Sequence, residues 1–297
     1  MITFSLHGEL GNQMFQWATG LAFSRKNNVP LKFLTLPGVT PRISEFKTSR
    51  NFDIEPFSRG LNPDSIFYKV SKKIGFERGL GNVQNEVGLN FQNLELVNLR
   101  NYHGYFQSWR YFHYMRDGIL DEFELLSASK NFFEIKDSFP IHFTAIHIRR
   151  GGPGAATLTS DYHGLLDFEY YKKAIDLNEE LGGSSNYIIF TDNPEKANEL
   201  IDQLHLGNPR IIGPEDTHSQ CENLVLMANA TSFIGANSSY SWWAAYLNRG
   251  LQSRPIFPRQ WYMNPDLSNT DMLLPDWISV GFNKFLNEKQ IRGINFE

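Results

Sequence analysis

The sequence predicts an α/β protein of two domains, the second of which is a doubly wound parallel sheet. In the second half, short apolar runs of strand character alternate with segments of helical periodicity. The first half begins with the same order of strand, glycine turn, helix and strand. A chain of 297 residues exceeds one ordinary hydrophobic core and fits two domains, so we expect a ligand cleft between them.

The second half supplies five predicted strands and four predicted helices. Pro194 suits the first turn of one helix, because its missing N–H group is not needed there. The strands are predicted at Ile141–Ile148, Asn186–Thr191, Arg210–Ile212, Thr231–Gly235 and Arg254–Phe257, and the helices at Phe168–Leu181, Glu195–Leu204, Gln220–Ala230 and Ser239–Leu247.

The first half is regular only at its start. We predict a strand at Ile2–Leu6, a helix from about Asn12 to Asn27 and a strand at Leu31–Leu34. Residues 37–110 have weak periodicity and are interpreted as insertions in a degenerate α/β domain. The predicted domains are therefore residues 1–138 and 139–297.

Composition excludes several classes of protein. The formal net charge of −4 argues against a nucleic-acid partner, which usually requires a basic face. The single cysteine, Cys221, excludes an intramolecular disulfide and fits a reducing compartment. The chain contains no run of about 18 apolar residues, so we expect a cytoplasmic protein with at most peripheral contact with the inner face of a membrane.

The segment His147-Ile148-Arg149-Arg150-Gly151 joins a predicted strand to two arginines and a glycine turn. Guanidinium groups bind phosphate in bidentate fashion, and glycine allows close approach of the backbone to a ligand. Side chains alternate along a strand, so only one arginine is expected to bind the ligand while the other braces the fold. The alternative is an arginine pair that merely solvates a sheet edge.

The segment Gly8–Ala18 forms a strand-to-helix glycine turn, whose exposed N–H groups could contact a phosphate or a sugar. It is not the dinucleotide-binding pattern G-x-G-x-x-G, which argues against an oxidoreductase. The simpler interpretation, which its spacing favours, is a tight connection with Asn12 as the helix N-cap.

Two further strand ends carry polar residues. A helix opening at Asn237-Ser238-Ser239-Tyr240-Ser241 could bind a diphosphate through its amides and hydroxyls, or could be ordinary capping beside a buried Trp pair. Asp192 follows the strand predicted at Asn186–Thr191, and its simpler interpretation is a helix cap. Because the carboxyl ends of parallel strands meet at one edge, these residues should lie near Arg149 and Arg150.

No two aspartates are separated by one residue, and neither a Walker A loop nor a His/Cys metal spacing is present. We therefore expect no metal and no cofactor. A bound phosphate would be neutralised by arginine and by helix ends.

Together these segments resemble the α-1,2-fucosyltransferases of glycosyltransferase family eleven. The resemblance covers essentially the whole chain in order. It rests on Gly8–Ala18, His147–Gly151, Phe190–Asn193 and Asn237–Ala245, joined by His163-Gly164, Tyr170–Ala174, Pro258 and Trp261.

The resemblance implies a GT-B fold, in which two Rossmann-type domains face a cleft. It implies inverting, metal-independent transfer of L-fucose from GDP-fucose to the 2-hydroxyl of a galactose. The acceptor would be a galactose-terminated glycan or a lipid-linked oligosaccharide, bound largely by the N-terminal domain, with the nucleotide on the C-terminal one. The resemblance also implies roles for single residues. Arg150 would bind the β-phosphate, Arg149 would be mainly structural, and Ser239, Tyr240 and Ser241 would line the phosphate site. Asn12 would face the cleft, and His147 would lie near the nucleoside.

The chain departs from the family pattern where carboxylates are expected. Gly152 replaces an aspartate after the arginines, and Asn223, next to Glu222, stands where an acid would suit the guanine edge. Glu9 replaces a glycine. We hypothesise that Glu9 or Asp161 acts as the general base instead, although each is more simply a solvated carboxylate.

Two alternative functions are kept. One is a transferase that uses another nucleotide sugar, and the other is a noncatalytic relative that binds a nucleotide or a glycan.

Overall fold

The computed structural model describes residues 1–35, 39–48, 54–56, 83–85, 91–94, 101–151, 163–264, 271–282 and 285. The chain divides into two compact units, Met1–Ser127 with Thr270–Met272, and Ala128–Asn269 with Leu273–Glu297. The predicted fold class, α/β with two Rossmann-type units as in GT-B glycosyltransferases, is confirmed by two parallel sheets.

Unit 1 is built on a five-stranded parallel sheet of order β3-β2-β1-β5-β4. Its core is aromatic: Trp17 stacks on Phe33 with centroids 3.8 Å apart, and Phe4 stacks on Tyr102 at 4.8 Å. Its described elements are β1 (Ile2–Leu6), α1 (Leu10–Asn27), β2 (Leu31–Thr35), β3 (Ile54–Pro56), β4 (Val83–Asn85), β5 (Asn101–His103) and α2 (Arg116–Glu122), with 3-10 turns at Arg42–Glu45, Trp109–Tyr111 and His113–Met115.

Unit 2 is built on a six-stranded parallel sheet of order β11-β10-β9-β6-β7-β8. Its described elements are α3 (Lys130–Asp137), β6 (Thr144–Ile148), α4 (Phe168–Glu180), β7 (Tyr187–Thr191), α5 (Pro194–Leu204), β8 (Arg210–Ile212), α6 (Gln220–Met227), β9 (Ser232–Ile234), α7 (Ser239–Leu247), β10 (Ile256–Pro258) and β11 (Ile278–Val280), with a 3-10 turn at Pro214–Asp216.

Both faces of the unit 2 sheet are covered, as a doubly wound fold requires. Ile146 and Ile148 point to one face, where they pack with residues of α4 and α5. On the other face Phe257 stacks on Trp277 at 4.9 Å, and Trp277 contacts Trp242 of α7 at 5.5 Å. This alternation places His147 and Arg149 on the α7 side and Arg150 on the α4 side.

The second half was predicted almost element by element, with two omissions. The strand β11 and the helix α3 were not predicted. Residues 141–143, expected in β6, lie outside the strand, and Ile141 is 87% exposed. The unit boundary falls after Ser127, earlier than the expected 138, because α3 belongs to unit 2: Ser129 at its N-cap donates from its backbone N–H and its hydroxyl to the carboxylate of Glu222 in α6.

Gly235, directly after β9, lies against the ring of Phe257. A Cβ added there would lie 2.1 Å from a ring carbon, and the ring is fully buried. We expect Gly235→Ala to lower the free energy of unfolding by about 1–3 kcal/mol through overpacking, measured by urea denaturation. Gly250→Ala is the control, because the nearest atom to its added Cβ is 3.7 Å away. Equal stability of the two variants would contradict this account.

Candidate functional site

The order of strands in unit 2 creates a crevice between β6 and β9. From β6 the chain proceeds through β7 to β8 on one side, whereas β9, β10 and β11 lie on the other side. Ligands of such sheets bind beyond the carboxyl ends of the two strands where the direction reverses. Arg149 follows β6 at this point, and residues 235–239 follow β9.

Arg150 is anchored in the protein. Its side chain is 5% exposed, and Nη1 donates to the backbone carbonyl of Leu166 at 2.9 Å. Burial lowers the pKa of Arg150, while the nearby Tyr171, Asp192 and Asp167 oppose the shift. The guanidinium thus ties the end of β6 to the segment that precedes α4.

Arg149 points to the opposite face and is only half-buried. Its charge acts on both His147 and His163, which places its guanidinium near those two rings. Its backbone carbonyl accepts a hydrogen bond from Nη1 of Arg150 at 3.4 Å, but its guanidinium makes no hydrogen bond or salt bridge with the residues that the structure describes. Burial lowers the pKa of Arg149, and the nearby Asp192 opposes this shift. Because the described part of the chain commits the guanidinium of Arg150 and not that of Arg149, this geometry favours Arg149 for binding an anionic ligand.

Asp192, at the end of β7, closes the turn that follows β6. Its carboxylate accepts the backbone N–H of Arg150 at 2.6 Å and that of Gly151 at 3.1 Å. It does not cap α5, contrary to its simpler interpretation from sequence. The N-cap is Asn193, whose side chain accepts the N–H of Lys196 at 3.1 Å. Asp192 therefore holds the backbone that carries both arginines.

The segment before α7 divides into inward and outward residues. Asn237 is 2% exposed, and its Nδ2 contacts the carbonyls of His163, Gly164 and Trp261 at 2.8 to 3.3 Å. Ser241 is fully buried, and its hydroxyl donates to the carbonyl and accepts the N–H of Ala236. The side chains of Asn237 and Ser241 therefore stabilise the backbone around the start of α7.

Ser238 and Ser239 are half-buried at the start of α7, on the side of the crevice. The hydroxyl of Ser238 is the N-cap and accepts the N–H of Tyr240 at 3.3 Å. The first turn of a nine-residue helix carries partial positive charge. The outward part of the predicted diphosphate site is therefore Ser238, Ser239 and the amides of this turn.

His147, Tyr240 and Asn223 form a line of polar side chains beside this helix start. The rings of His147 and Tyr240 are 5.8 Å apart, and the Tyr240 hydroxyl contacts Asn223 Oδ1 at 3.2 Å. Asn223 Nδ2 also donates to the Gly213 carbonyl at 3.3 Å. His147 is 5% exposed, and its Nδ1 has no hydrogen-bond partner among the described residues.

The neighbouring Glu222 does not replace the carboxylate expected at Asn223. It is 2% exposed, and its oxygens accept hydrogen bonds from Ser129 and from the backbone N–H of His218. A carboxylate committed to these donors has an architectural role. The departure at Asn223 is therefore not compensated by the adjacent acid.

In unit 1 the glycine turn differs from its predicted form. The N-cap of α1 is Glu9, not Asn12, and its side chain makes no capping hydrogen bond. Glu9 is exposed and pairs with Arg42 at 3.0 Å. Asn12 lies within the first turn of α1, where its Oδ1 accepts a hydrogen bond from Gln107 at 2.7 Å.

Two buried glutamines that the sequence did not single out hold this turn. Gln13 donates to the carbonyls of Gly8 and Thr40 at 3.0 and 2.9 Å, and Gln16 accepts the backbone N–H of His7 at 2.9 Å. Glutamines within an otherwise apolar helix start were the available signal. The predicted candidate Asp161 lies outside the described residues, as does Gly152, which stands where the family pattern has an aspartate.

A family model, "Glycosyl transferase family 11", matches residues 1–281. The chain belongs to this family. The resemblance of its motifs to family eleven is thereby confirmed.

Curated relatives agree with family 11 at low identity. An Escherichia coli O-antigen biosynthesis glycosyltransferase, WbnK, is 27% identical, covering 93% of this chain and 99% of the relative. An Escherichia coli alpha-1,2-colitosyltransferase is 25% identical, covering 94% and 99%. The galactoside alpha-(1,2)-fucosyltransferase 2 of Rattus norvegicus is 22% identical, covering 94% and 77%.

Solved structures give weaker likenesses. A glycosyl transferase family 9 protein from Veillonella parvula has a TM-score of 0.47 at 10% identity, covering 99% of this chain and 91% of the other. The NodZ alpha-1,6-fucosyltransferase has a TM-score of 0.44 at 12% identity, covering 83% and 92%. Scores at this level support no conclusion about function. Within the described residues, no helix combines the length and the apolar character needed to span a bilayer.

We expect the stability of this family 11 protein to fall as pH drops from about 6.5 to about 4. Burial lowers the pKa of His7, His147 and His163 to about 4, so the unfolded state binds more protons in this window. Each histidine adds a slope of up to about 1.4 kcal/mol per pH unit. Urea denaturation between about pH 7 and about pH 5 measures it.

Replacing His147 separates its contribution from that of the carboxylates. His147→Gln should flatten the dependence of unfolding free energy on pH relative to the wild type. An unchanged slope in His147→Gln would show that folding does not lower the pKa of this imidazole.

Proposed function

We propose that this family 11 chain transfers L-fucose from GDP-fucose to the 2-hydroxyl of a galactose, with inversion and without a metal. The α-1,2 linkage is supported by the names of two relatives, one a colitosyltransferase and one a galactoside fucosyltransferase. The observation that carries the proposal is the β6–β9 crevice, where Arg149 and the start of α7 suit a diphosphate.

Breaking the bond between sugar and phosphate builds negative charge on the departing GDP. Groups that hold this charge more strongly in the transition state than in the ground state accelerate the reaction. Arg149 supplies a full positive charge, and the first turn of α7 supplies oriented amides with the hydroxyls of Ser238 and Ser239. The end of β6 and the start of α7 are parts of the folded scaffold, so these groups need little reorganisation as the negative charge develops.

The nucleoside would lie beside the line formed by His147, Tyr240 and Asn223. The Nδ1 atom of His147 has no hydrogen-bond partner among the described residues, and burial keeps the His147 ring neutral near pH 7. A neutral imidazole next to a dianionic diphosphate can donate or accept one hydrogen bond without adding charge.

We predict different outcomes for the two arginines. Arg149→Ala should lower kcat by about 10² to 10³ while leaving the melting temperature close to that of the wild type. Arg150→Ala should lower the melting temperature, because it leaves the Leu166 carbonyl unpaired in the interior. Thermal unfolding and steady-state kinetics on both variants measure these effects.

Arg149→Lys is the matched variant, since it keeps the charge and loses the bidentate fork. It should recover part of the lost turnover. If Arg149→Ala kept more than half of its kcat while a stably folded Arg150→Ala lost it, the phosphate contact would belong to Arg150, as the family resemblance implies.

The acceptor hydroxyl must lose a proton, and we propose Glu9 or Asp161 as the base. Glu9 is exposed at the start of α1, and its pairing with Arg42 keeps the carboxylate in place. Glu9→Gln should lower kcat by about 10² if it is the base. Unchanged kcat in Glu9→Gln and in Asp161→Asn would remove both residues from this role.

A direct assay tests the whole proposal. The protein is incubated with GDP-fucose and galactose-terminated acceptors in the presence of EDTA, and the linkage of the product is determined by NMR. We expect a 2-linked fucoside of inverted anomeric configuration. Loss of activity with EDTA that returns on adding Mg²⁺, or a different linkage, would contradict the proposal.

A second candidate donor is GDP-colitose, a colitose being a fucose without its 3-hydroxyl. One relative is an alpha-1,2-colitosyltransferase. Because an asparagine stands at position 223, where an acid would suit the guanine edge, the base of the donor is tested separately from its sugar. Thermal shifts with GDP, UDP and ADP compare the bases, because a bound ligand raises the melting temperature by mass action. The ratio of kcat/KM for GDP-fucose and GDP-colitose then identifies the sugar. A shift with GDP but no transfer or hydrolysis of either donor would indicate a noncatalytic relative.

A further inference from the structure

Unit 1 has a switch point of its own, between β1 and β5. From β1 the chain proceeds through β2 to β3 on one side of the sheet, whereas β4 and β5 lie on the other side, with β5 next to β1. The residues directly after β1 and β5 therefore flank a crevice of the kind that binds ligands in open parallel sheets.

Three rings meet at this edge. His7 follows β1, His103 is the last residue of β5, and Tyr105 comes two residues later. The His7 and His103 rings are stacked with centroids 4.6 Å apart, and Tyr105 lies 4.9 Å from His7 at 54°. Tyr105 is 42% exposed, so this cluster presents an aromatic surface to solvent in unit 1.

Buried amides hold the cluster in position. Gln16 is fully buried, and its side chain accepts the backbone N–H of His7 while its Nε2 contacts the His7 ring at 3.1 Å and the Gly104 carbonyl at 3.2 Å. One glutamine thus joins the residues after β1 to those after β5. The orientation of His7 is set by the scaffold before any ligand binds.

Two hydrogen-bonding side chains lie close to these rings along the chain: that of Asn12 lies against Gly8, which follows His7, and Gln107 is two residues after Tyr105. Asn12, in the first turn of α1, and Gln107, just beyond Tyr105, are joined by a bond of 2.7 Å, and both are half-buried. A side-chain amide can both donate and accept hydrogen bonds. Glu9 adds an exposed carboxylate at the same turn.

We propose that His7, Tyr105 and the Asn12–Gln107 pair form a binding subsite for a neutral hexopyranose, the terminal galactose of the acceptor. This rests on the proposed function and assigns its acceptor subsite. A pyranose has an apolar C–H face that an aromatic ring can cover, while its hydroxyls need both donors and acceptors.

The charge of the cluster favours a neutral sugar over a phosphate. Burial, and then His103, lowers the pKa of His7 to about 4, so His7 is uncharged near pH 7. Arg42, which begins the 3-10 turn Arg42–Glu45, is paired with Glu9. In unit 2 the corresponding edge carries Arg149 and a helix start, so the two switch points have different chemistry.

Saturation-transfer NMR with methyl β-D-galactopyranoside, in the presence of GDP, tests the subsite without requiring turnover. We expect a signal from the wild type that is lost in Tyr105→Ala and kept in Tyr105→Phe, which retains the ring. In steady-state assays Tyr105→Ala should raise the acceptor KM about tenfold and leave the affinity for GDP unchanged. Tyr114→Ala, which removes an exposed tyrosine elsewhere in unit 1, is the control and should behave as the wild type.

The outcomes separate this subsite from the transferase activity. If the wild type transfers no fucose but its galactoside signal depends on Tyr105, the subsite stands and the proposed function fails. If fucose is transferred and Tyr105→Ala changes neither the signal nor the acceptor KM, the subsite alone is overturned. A wild type without any galactoside signal also overturns it.

Discussion

The carboxylate of Asp192 fixes the backbone conformation at the end of β6. By accepting the N–H groups of Arg150 and Gly151 it holds the backbone in the turn, where Gly151 has a φ of +78° that favours glycine. With this turn held, alternation sends one arginine to each face of the sheet. Arg150 then binds the Leu166 carbonyl, and Arg149 remains for the crevice. A single acid thus holds the backbone that places the anchored Arg150 and the half-buried Arg149 on opposite faces.

The two units use one topology for different chemistry. Each has a parallel sheet whose order reverses once, at β6–β9 in unit 2 and at β1–β5 in unit 1. In unit 2 the residues beyond the strands are cationic or rich in amides, which suits the charged half of a nucleotide sugar. In unit 1 they are an uncharged histidine, a tyrosine and side-chain amides, which suit an uncharged sugar. The difference comes from a few residues at the strand ends and not from the fold.

The departure at Asn223 does not involve the residues that hold the end of β6. Asn223 and Glu222 lie on α6, where Glu222 anchors the start of α3 and Asn223 contacts Tyr240. Neither contributes to the hold on the end of β6. Under the proposed function, the nucleobase and the diphosphate would be bound by different elements of unit 2, so that one could change while the other is kept.

Periodicity and motif order alone established the α/β class, most strands and helices of the second half, and membership of the family, because these depend on local pattern. The sequence also indicated that the two arginines face opposite ways. Only the tertiary structure decided which of them is already bound, that Asn237 and Ser241 serve the fold, and that Asn193 and not Asp192 caps α5. It also brought His7, His103 and Tyr105 together from distant parts of the chain. Such pairings depend on which strands become neighbours, and strand order is set by packing of the whole sheet and not by any one segment.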